Sequence, residues 1–218
     1  MKKKLFSVKE MVLIAMLAAI AYVIVAFIRI PVVLFLKYEP KDVIITIGGF
    51  LLGPMAAFIT SFVVSLVEMV TVSDTGPIGA LMNLLSTCSF ACTASLIYKK
   101  RHTLSGAISG LLLGAVVMVG AMLLWNWLIT PLYMGVERSV VEGMLLTAFL
   151  PFNLLKAGLN TALVLVLYKP LVNALRKANL APSKAQSAGS GSKTGVWILG
   201  LILLATCILL LLVFQGKI

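Results

Sequence analysis

The chain has 218 residues, 61% of them hydrophobic and 11% charged, with a formal net charge of +11. A soluble domain of this length could not hide so much apolar side chain, and several stretches reach the roughly 20 residues that cross a bilayer as a helix, so the composition specifies a polytopic helical membrane protein rather than a barrel. The cations sit between the apolar runs and at their ends, where they act as topology signals, and no basic patch is interleaved with exposed aromatics, which argues against nucleic acid as a partner.

The N-terminus, Met1-Lys2-Lys3-Lys4, mimics a signal peptide. The apolar run from Met11 to Ile28 is too long for a typical signal core, and no convincing small-x-small cleavage site follows before Arg29. This predicts a first membrane helix from Val8 to Ile28. Arg29 to Asp42 carries two prolines and clustered charges and reads as a loop, with Asp42 placed to cap a short second helix over Val43 to Leu52. Gly53-Pro54 breaks that helix, and Pro54 suits the first turn of a third, running to Val72. Ser73 to Pro77 is a turn by composition. A fourth helix ends near Tyr98, before a basic hairpin, Lys99 to His102.

A fifth helix spans Ser105 to Thr130, a polar loop spans Pro131 to Gly143, and a sixth helix spans Met144 to Leu175. A linker rich in Ala, Ser, Gly and Lys, Ala178 to Lys193, is expected to be flexible. Val196 to Phe214 is a seventh span. The expected organisation is therefore a membrane core over 1–177, a cytoplasmic linker over 178–193 and an additional transmembrane helix over 194–218.

Alternation fixes an expected orientation. With the N-terminus inside, twelve cations fall on inner segments and five on outer ones. The Arg29–Asp42 and Pro131–Gly143 loops then lie outside, where mixed-charge loops are candidates for capping a ligand site, and the C-terminus ends outside.

Lys156 is the sharpest polar feature, because a lysine within a span is costly and points to function. Asn153, Lys156 and Asn160 share one helical face. The competing reading is that Lys156 snorkels to the interface. Asn126, between Trp125 and Trp127, offers donors and an acceptor together and could pair with an imide or amide edge of a ligand, or bond a neighbouring helix. The tryptophans are most simply interfacial anchors. Glu68 and Asn83 could be buried or interfacial. Ala15 and Ala19 form one small-residue ridge, and Gly106, Gly110 and Gly114 another, the latter read as internal packing. Cys88, Cys92 and Cys207 lie in apolar runs and read as small buried hydrophobes, with no His or carboxylate beside them to complete a metal site.

Catalytic machinery is not visible. Gly189 to Thr194 lacks the glycine that precedes the lysine of a phosphate-binding loop and sits in the linker. His102 lies alone in a basic turn. No acid–base or nucleophilic set gathers, so the chain is read as no enzyme. Matching halves of the kind seen in many secondary transporters are also not evident, which suggests that a partner supplies the energy.

Lys37-Tyr38-Glu39-Pro40-Lys41-Asp42, followed by Ile47-Gly48-Gly49-Phe50-Leu51-Leu52-Gly53-Pro54, resembles the riboflavin-specific substrate-binding (S) components of energy-coupling factor (ECF) transporters. So do Gly76-Pro77-Ile78-Gly79-Ala80-Leu81-Met82-Asn83 and Asn153-Leu154-Leu155-Lys156. The resemblance covers about residues 8 to 177 and rests on the order and spacing of these segments together. It implies an all-α six-helix core, here with a seventh C-terminal helix, that captures riboflavin as transported ligand, with no cofactor of its own, from outside the cell. It implies ligand contacts from Asn126, Asn153 and Lys156, and closure by Tyr38 and its neighbours in the first loop. The pocket would be lined by the fourth, fifth and sixth helices. Ala15 and Ala19 would dock a transmembrane coupling subunit, itself driven by two cytoplasmic ATPases, and toppling in the membrane would release the ligand inside. An S component for another vitamin or flavin, or a non-transporting membrane scaffold, are the alternative readings. The seventh helix departs from the family pattern, and the resemblance implies nothing about it.

Overall fold

The computed structural model describes residues 5–73, 75–178 and 193–217. The expected linker therefore falls almost wholly outside the described residues, as do Lys2 to Lys4, Asp74 and Lys184.

The first helix, α1 (Val8–Phe27), starts where expected. Ser7 accepts a hydrogen bond from the Glu10 amide while Glu10 receives one from the Ser7 amide, a reciprocal cap that satisfies two otherwise unpaired donors. Leu13, Ile14, Leu17, Ala18 and Ala21 face the bundle, whereas Ala15 and Ala19 are exposed on the other side.

The segment read as a loop is a β-hairpin. Strands β1 (Ile30–Val33) and β2 (Leu36–Tyr38) pair antiparallel, with Ile30 opposite Tyr38 and an irregularity between Pro31 and Val33. Leu34 makes the turn at φ 52°, a backbone state that costs an ordinary side chain about 1–2 kcal/mol.

Helix α2 (Lys41–Leu52) begins two residues earlier than expected, with Pro40 as its cap residue. Asp42 makes no cap, because its side chain points inward and takes part in the ion pairs described below. At 12 residues α2 is about 18 Å long, shorter than a full lipid-facing span, yet it runs from the hairpin to Gly53, beside Lys99 at the far end of α4, and so carries the chain back through the bundle. Every residue from Lys41 to Phe50 is buried, so α2 is the central pillar of the bundle. Gly53, at φ 98°, turns the chain into α3 (Pro54–Thr71). An L side chain rarely adopts that state.

Helix α4 (Gly76–Arg101) runs through the expected basic hairpin and stops at His102, which takes a left-handed conformation. Helix α5 (Leu104–Met134) packs along it. A Cβ on Gly110 would lie 2.7 Å from the Ala94 carbonyl oxygen, and one on Gly114 would lie 2.7 Å from that of Phe90. The glycine ridge thus brings two backbones together inside the bundle, as expected of such residues.

Pro131 does not end α5. The helix continues a turn past it, and Gly135 closes it in a left-handed conformation. The expected polar loop is instead this last turn, a short bend and helix α6 (Arg138–Met144). A π-helical turn over Leu145–Phe149 joins α6 to α7 (Leu150–Lys177). The last helix, α8 (Lys193–Phe214), lies against α7. Six helical segments among the described residues are long and apolar enough to cross a membrane, and α2 is not one of them. The chain is an all-α membrane protein in which the hairpin, α6, the start of α7 and the end of α8 meet at one end of the bundle.

Candidate functional site

At the hairpin end the bundle forms a partly open cavity of about 240 Å³. Phe35, Tyr133 and Phe152 supply aromatic wall, and Met82 and Met122 supply deformable apolar wall. Phe35 sits at the hairpin turn with its ring edge-on to Tyr133, 5.5 Å between centroids, and 6.3 Å from Phe149. The polar lining comes from the hairpin region (Arg29, Lys37, Glu39), from α4 (Asn83, Ser86) and from α7 (Asn153, Lys156). Flat apolar walls with a few convergent polar groups describe a small-molecule site.

Lys156 is 5% exposed and does not snorkel. Its ammonium lies 3.1 Å from Asp42, whose carboxylate also accepts from Thr87 at 2.7 Å and from Asn160 at 3.2 Å. Asn160 in turn accepts from the Tyr38 hydroxyl at 3.1 Å. Burial, with the nearby Asp42 charge, pushes the Tyr38 phenol up, so it stays protonated and can donate. A second chain of contacts runs beside the first. Lys41 pairs with Glu39 at 2.7 Å and with Glu68, which also accepts from Asn83 at 3.2 Å. Arg29 holds Glu39 at 3.0 Å and donates to the Val72 carbonyl. Burial raises the Glu39 carboxyl, but Lys41, Lys156 and Arg29 outweigh it and hold the group below its ordinary value.

Two buried cations, Lys41 and Lys156, and the part-buried Arg29 therefore gather with three buried carboxylates, Glu39, Asp42 and Glu68. Each would be prohibitive alone, and pairing with added hydrogen bonds is what makes them tolerable. Sequence reasoning found Lys156 and left Glu68 open, but it missed Asp42 as the counterion. The available signal was the need of a buried lysine for a carboxylate, and few acids exist to supply one.

The four expected ligand residues divide. Asn153 and Lys156 line the cavity. The Asn153 amide nitrogen donates to the Phe149 carbonyl at 2.8 Å, while its carbonyl oxygen is buried with no partner among the described residues. The Ser86 hydroxyl, also on the wall, is in the same state. Buried polar atoms are nearly always satisfied, so two orphans on one cavity mark a place where a ligand completes the bonding. Asn126 and Tyr38 stand behind the wall. Asn126 is fully buried, donates to the Met122 carbonyl at 2.8 Å and accepts from Thr130 at 2.9 Å, all within α5. Tyr38 is linked to the cavity through Asn160 and Asp42, which pairs with the lining Lys156. Trp127 is anchored by Glu142 at 3.0 Å and by Arg138, whose guanidinium carbon lies 4.8 Å from the ring centroid.

The family model for the substrate-specific component of ECF transporters matches residues 9–168. The chain belongs to that family. As an ECF S component it is the substrate-binding part of a transporter and not an enzyme. It is 29% identical over 179 residues to the riboflavin transporter RibU of Staphylococcus aureus (strain TCH60), a match covering 78% of this chain and 93% of that protein. It is 25% identical over 189 residues to the riboflavin transporter FmnP of Bacillus subtilis (strain 168), covering 79% and 98% respectively. Among solved structures it resembles the S component of a bacterial ECF transporter, with a TM-score of 0.66 and 30% identity over 77% of this chain and 98% of that one. For an ECF S component the unmatched part is notable: α8 lies wholly beyond the family model.

Proposed function

We propose that this S component captures riboflavin outside the cell in the cavity beneath the hairpin and delivers it inward when coupled to its energising partners. The observation that carries the reading is the orphaned Asn153 carbonyl beside the Lys156 ammonium on an aromatic- and methionine-walled cavity. Riboflavin presents a flat ring system, an imide edge and a polyol. The imide N–H would find the Asn153 oxygen, a ring carbonyl would find Lys156 or Ser86, and the polyol would lie toward Asn83 and the hairpin charges. Both named relatives are riboflavin transporters.

The cavity is slightly smaller than the roughly 300–1,000 Å³ of drug-sized pockets. Riboflavin would fill it and press on Phe35, so entry requires the hairpin to lift. Tyr38 closes the floor of that hairpin through Asn160, and Asn126 reaches the ligand by giving up its bond from Thr130.

Ala15 and Ala19 lie exposed on α1 and would dock the transmembrane coupling subunit, which two cytoplasmic ATPases would drive. The cation distribution supports an N-terminus inside and a C-terminus outside. Titration of purified protein with riboflavin should quench the vitamin's fluorescence with saturable, one-to-one stoichiometry. A protein that leaves the fluorescence unchanged across micromolar riboflavin would retire the reading. Replacing Ala15 and Ala19 with leucine should abolish coupled uptake in cells while leaving that titration unchanged.

A further inference from the structure

Helix α8 is more than an added anchor. We propose that it is a strap that holds the capping hairpin down over the cavity, with Gln215 as its positioning residue. The inference rests on the assignment of that cavity as the ligand site.

The first observation is where α8 ends. Gln215, in the turn that follows the helix, donates from its amide nitrogen to the Pro31 carbonyl at 2.8 Å. Pro31 belongs to β1, and a two-stranded sheet leaves each strand with an open edge. The extra helix therefore supplies a partner to the edge of the hairpin.

The second observation is apolar. Cys207 and Leu211 of α8 belong to the same buried cluster as Val32, Leu36 and Tyr38 of the hairpin. Hairpin and strap thus share one core, and lifting the hairpin exposes part of it.

The third is that α8 has a fitted seat. On α7, Gly158 leaves room for Cys207: a Cβ there would stand 2.8 Å from its sulfur. On α8, Gly200 meets Val166, where a Cβ would lie 3.0 Å from a methyl group. Small residues at such a seam let helices approach closely. A helix seated this firmly on α7 can act as a fixed post, and the hairpin bound to its end is then tied to the same helix that carries Asn153 and Lys156.

Opening the hairpin for ligand exchange must break the Gln215–Pro31 bond and part the shared cluster. Stabilising the closed form slows release of whatever lies beneath it. The six-helix part of the chain supplies the cavity, and the region beyond the family model adjusts how long it stays covered.

The test uses the full chain in lipid nanodiscs. Hydrogen exchange of the amides of residues 30–38 is followed by mass spectrometry without ligand, and riboflavin dissociation is followed by stopped-flow fluorescence. Gln215→Ala, and Gln215→Glu, which keeps the shape and loses the donor, are compared with the unaltered chain. Both variants should speed hairpin exchange about threefold to tenfold, the effect of losing one hydrogen bond, with exchange along the α4–α5 seam unchanged. Riboflavin dissociation should quicken by a similar factor while association changes little. Unaltered hairpin exchange in both variants overturns the strap. Faster exchange with unaltered dissociation overturns its link to ligand release. Faster exchange in a protein that binds no riboflavin leaves the strap standing and retires the ligand assignment instead.

Discussion

Helices α7 and α8 lie side by side and solve the membrane problem in opposite ways. The outer face of α8 is bare: Ile198, Ile202, Leu209 and Val213 are all about half exposed, and only a seam through Gly200, Cys207 and Leu211 touches protein. Helix α7 buries most of its length and carries Asn153, Lys156 and Asn160 on one face. By hydropathy alone α8 is the better membrane helix. By consequence α7 is the one that matters for the ligand, because each polar group it brings inside demands a specific partner. The lesson is that an apolar helix needs only a surface to lie on, whereas a polar one fixes the position of everything around it.

Substitutions on the two helices and their neighbours test this contrast. Lys156→Met should do the most damage. It removes the proposed ligand donor and leaves Asp42 buried without its cation, so riboflavin affinity should fall roughly a hundredfold. Stability should fall by about 3–5 kcal/mol, seen as a lower unfolding temperature in detergent. Adding Asp42→Asn should restore much of the stability and none of the affinity. Equal losses in single and double variants would show that the pair is not the cause.

Gly114→Leu comes next. It forces side chain against the Phe90 carbonyl, and backbone cannot yield as a side chain would. A loss of about 1–3 kcal/mol is expected, again read from thermal unfolding, with affinity changed far less than by Lys156→Met. Asn153→Ala should weaken riboflavin about tenfold but leave unfolding temperature level or slightly raised, because an orphaned buried oxygen is removed. A large stability loss there would mean that the oxygen is already satisfied. Leu209→Ala, on the lipid face of α8, should change stability by no more than about 0.5 kcal/mol and leave binding untouched.

The long helices were legible because their apolar runs are long and bounded by charge or by Gly and Pro. The hairpin was not. Its strands have four and three residues, it contains Pro31, and its turn uses Leu34 where glycine or asparagine would announce a reversal. Proline is accepted at the edge of a sheet, so Pro31 misled. Pro131 misled in the other direction, since a membrane helix can carry proline when its neighbours satisfy the freed groups.

The site was legible in part. Helical spacing put Asn153, Lys156 and Asn160 together. It could not show that Asp42, far away in sequence, turns inward to meet two of them. An acid at the start of a helix looks like a cap from its local sequence, and only the packed structure shows that the lysine claims it. The same holds for Lys41 and Glu68, which lie 27 residues apart. The seat of α8 depends on Gly158 and Gly200, and neither carries a local signal of what it will touch.

The ion pairs beside the cavity set three basic side chains, Arg29, Lys41 and Lys156, against three acidic ones, Glu39, Asp42 and Glu68, and Lys37 stands on the same wall. Moving one unbalanced elementary charge through the membrane field costs about 2.3 kcal/mol per 100 mV. Acid and base that travel as a pair add no net charge to a movement of this end of the bundle, so any voltage dependence of import is carried by groups outside these pairs.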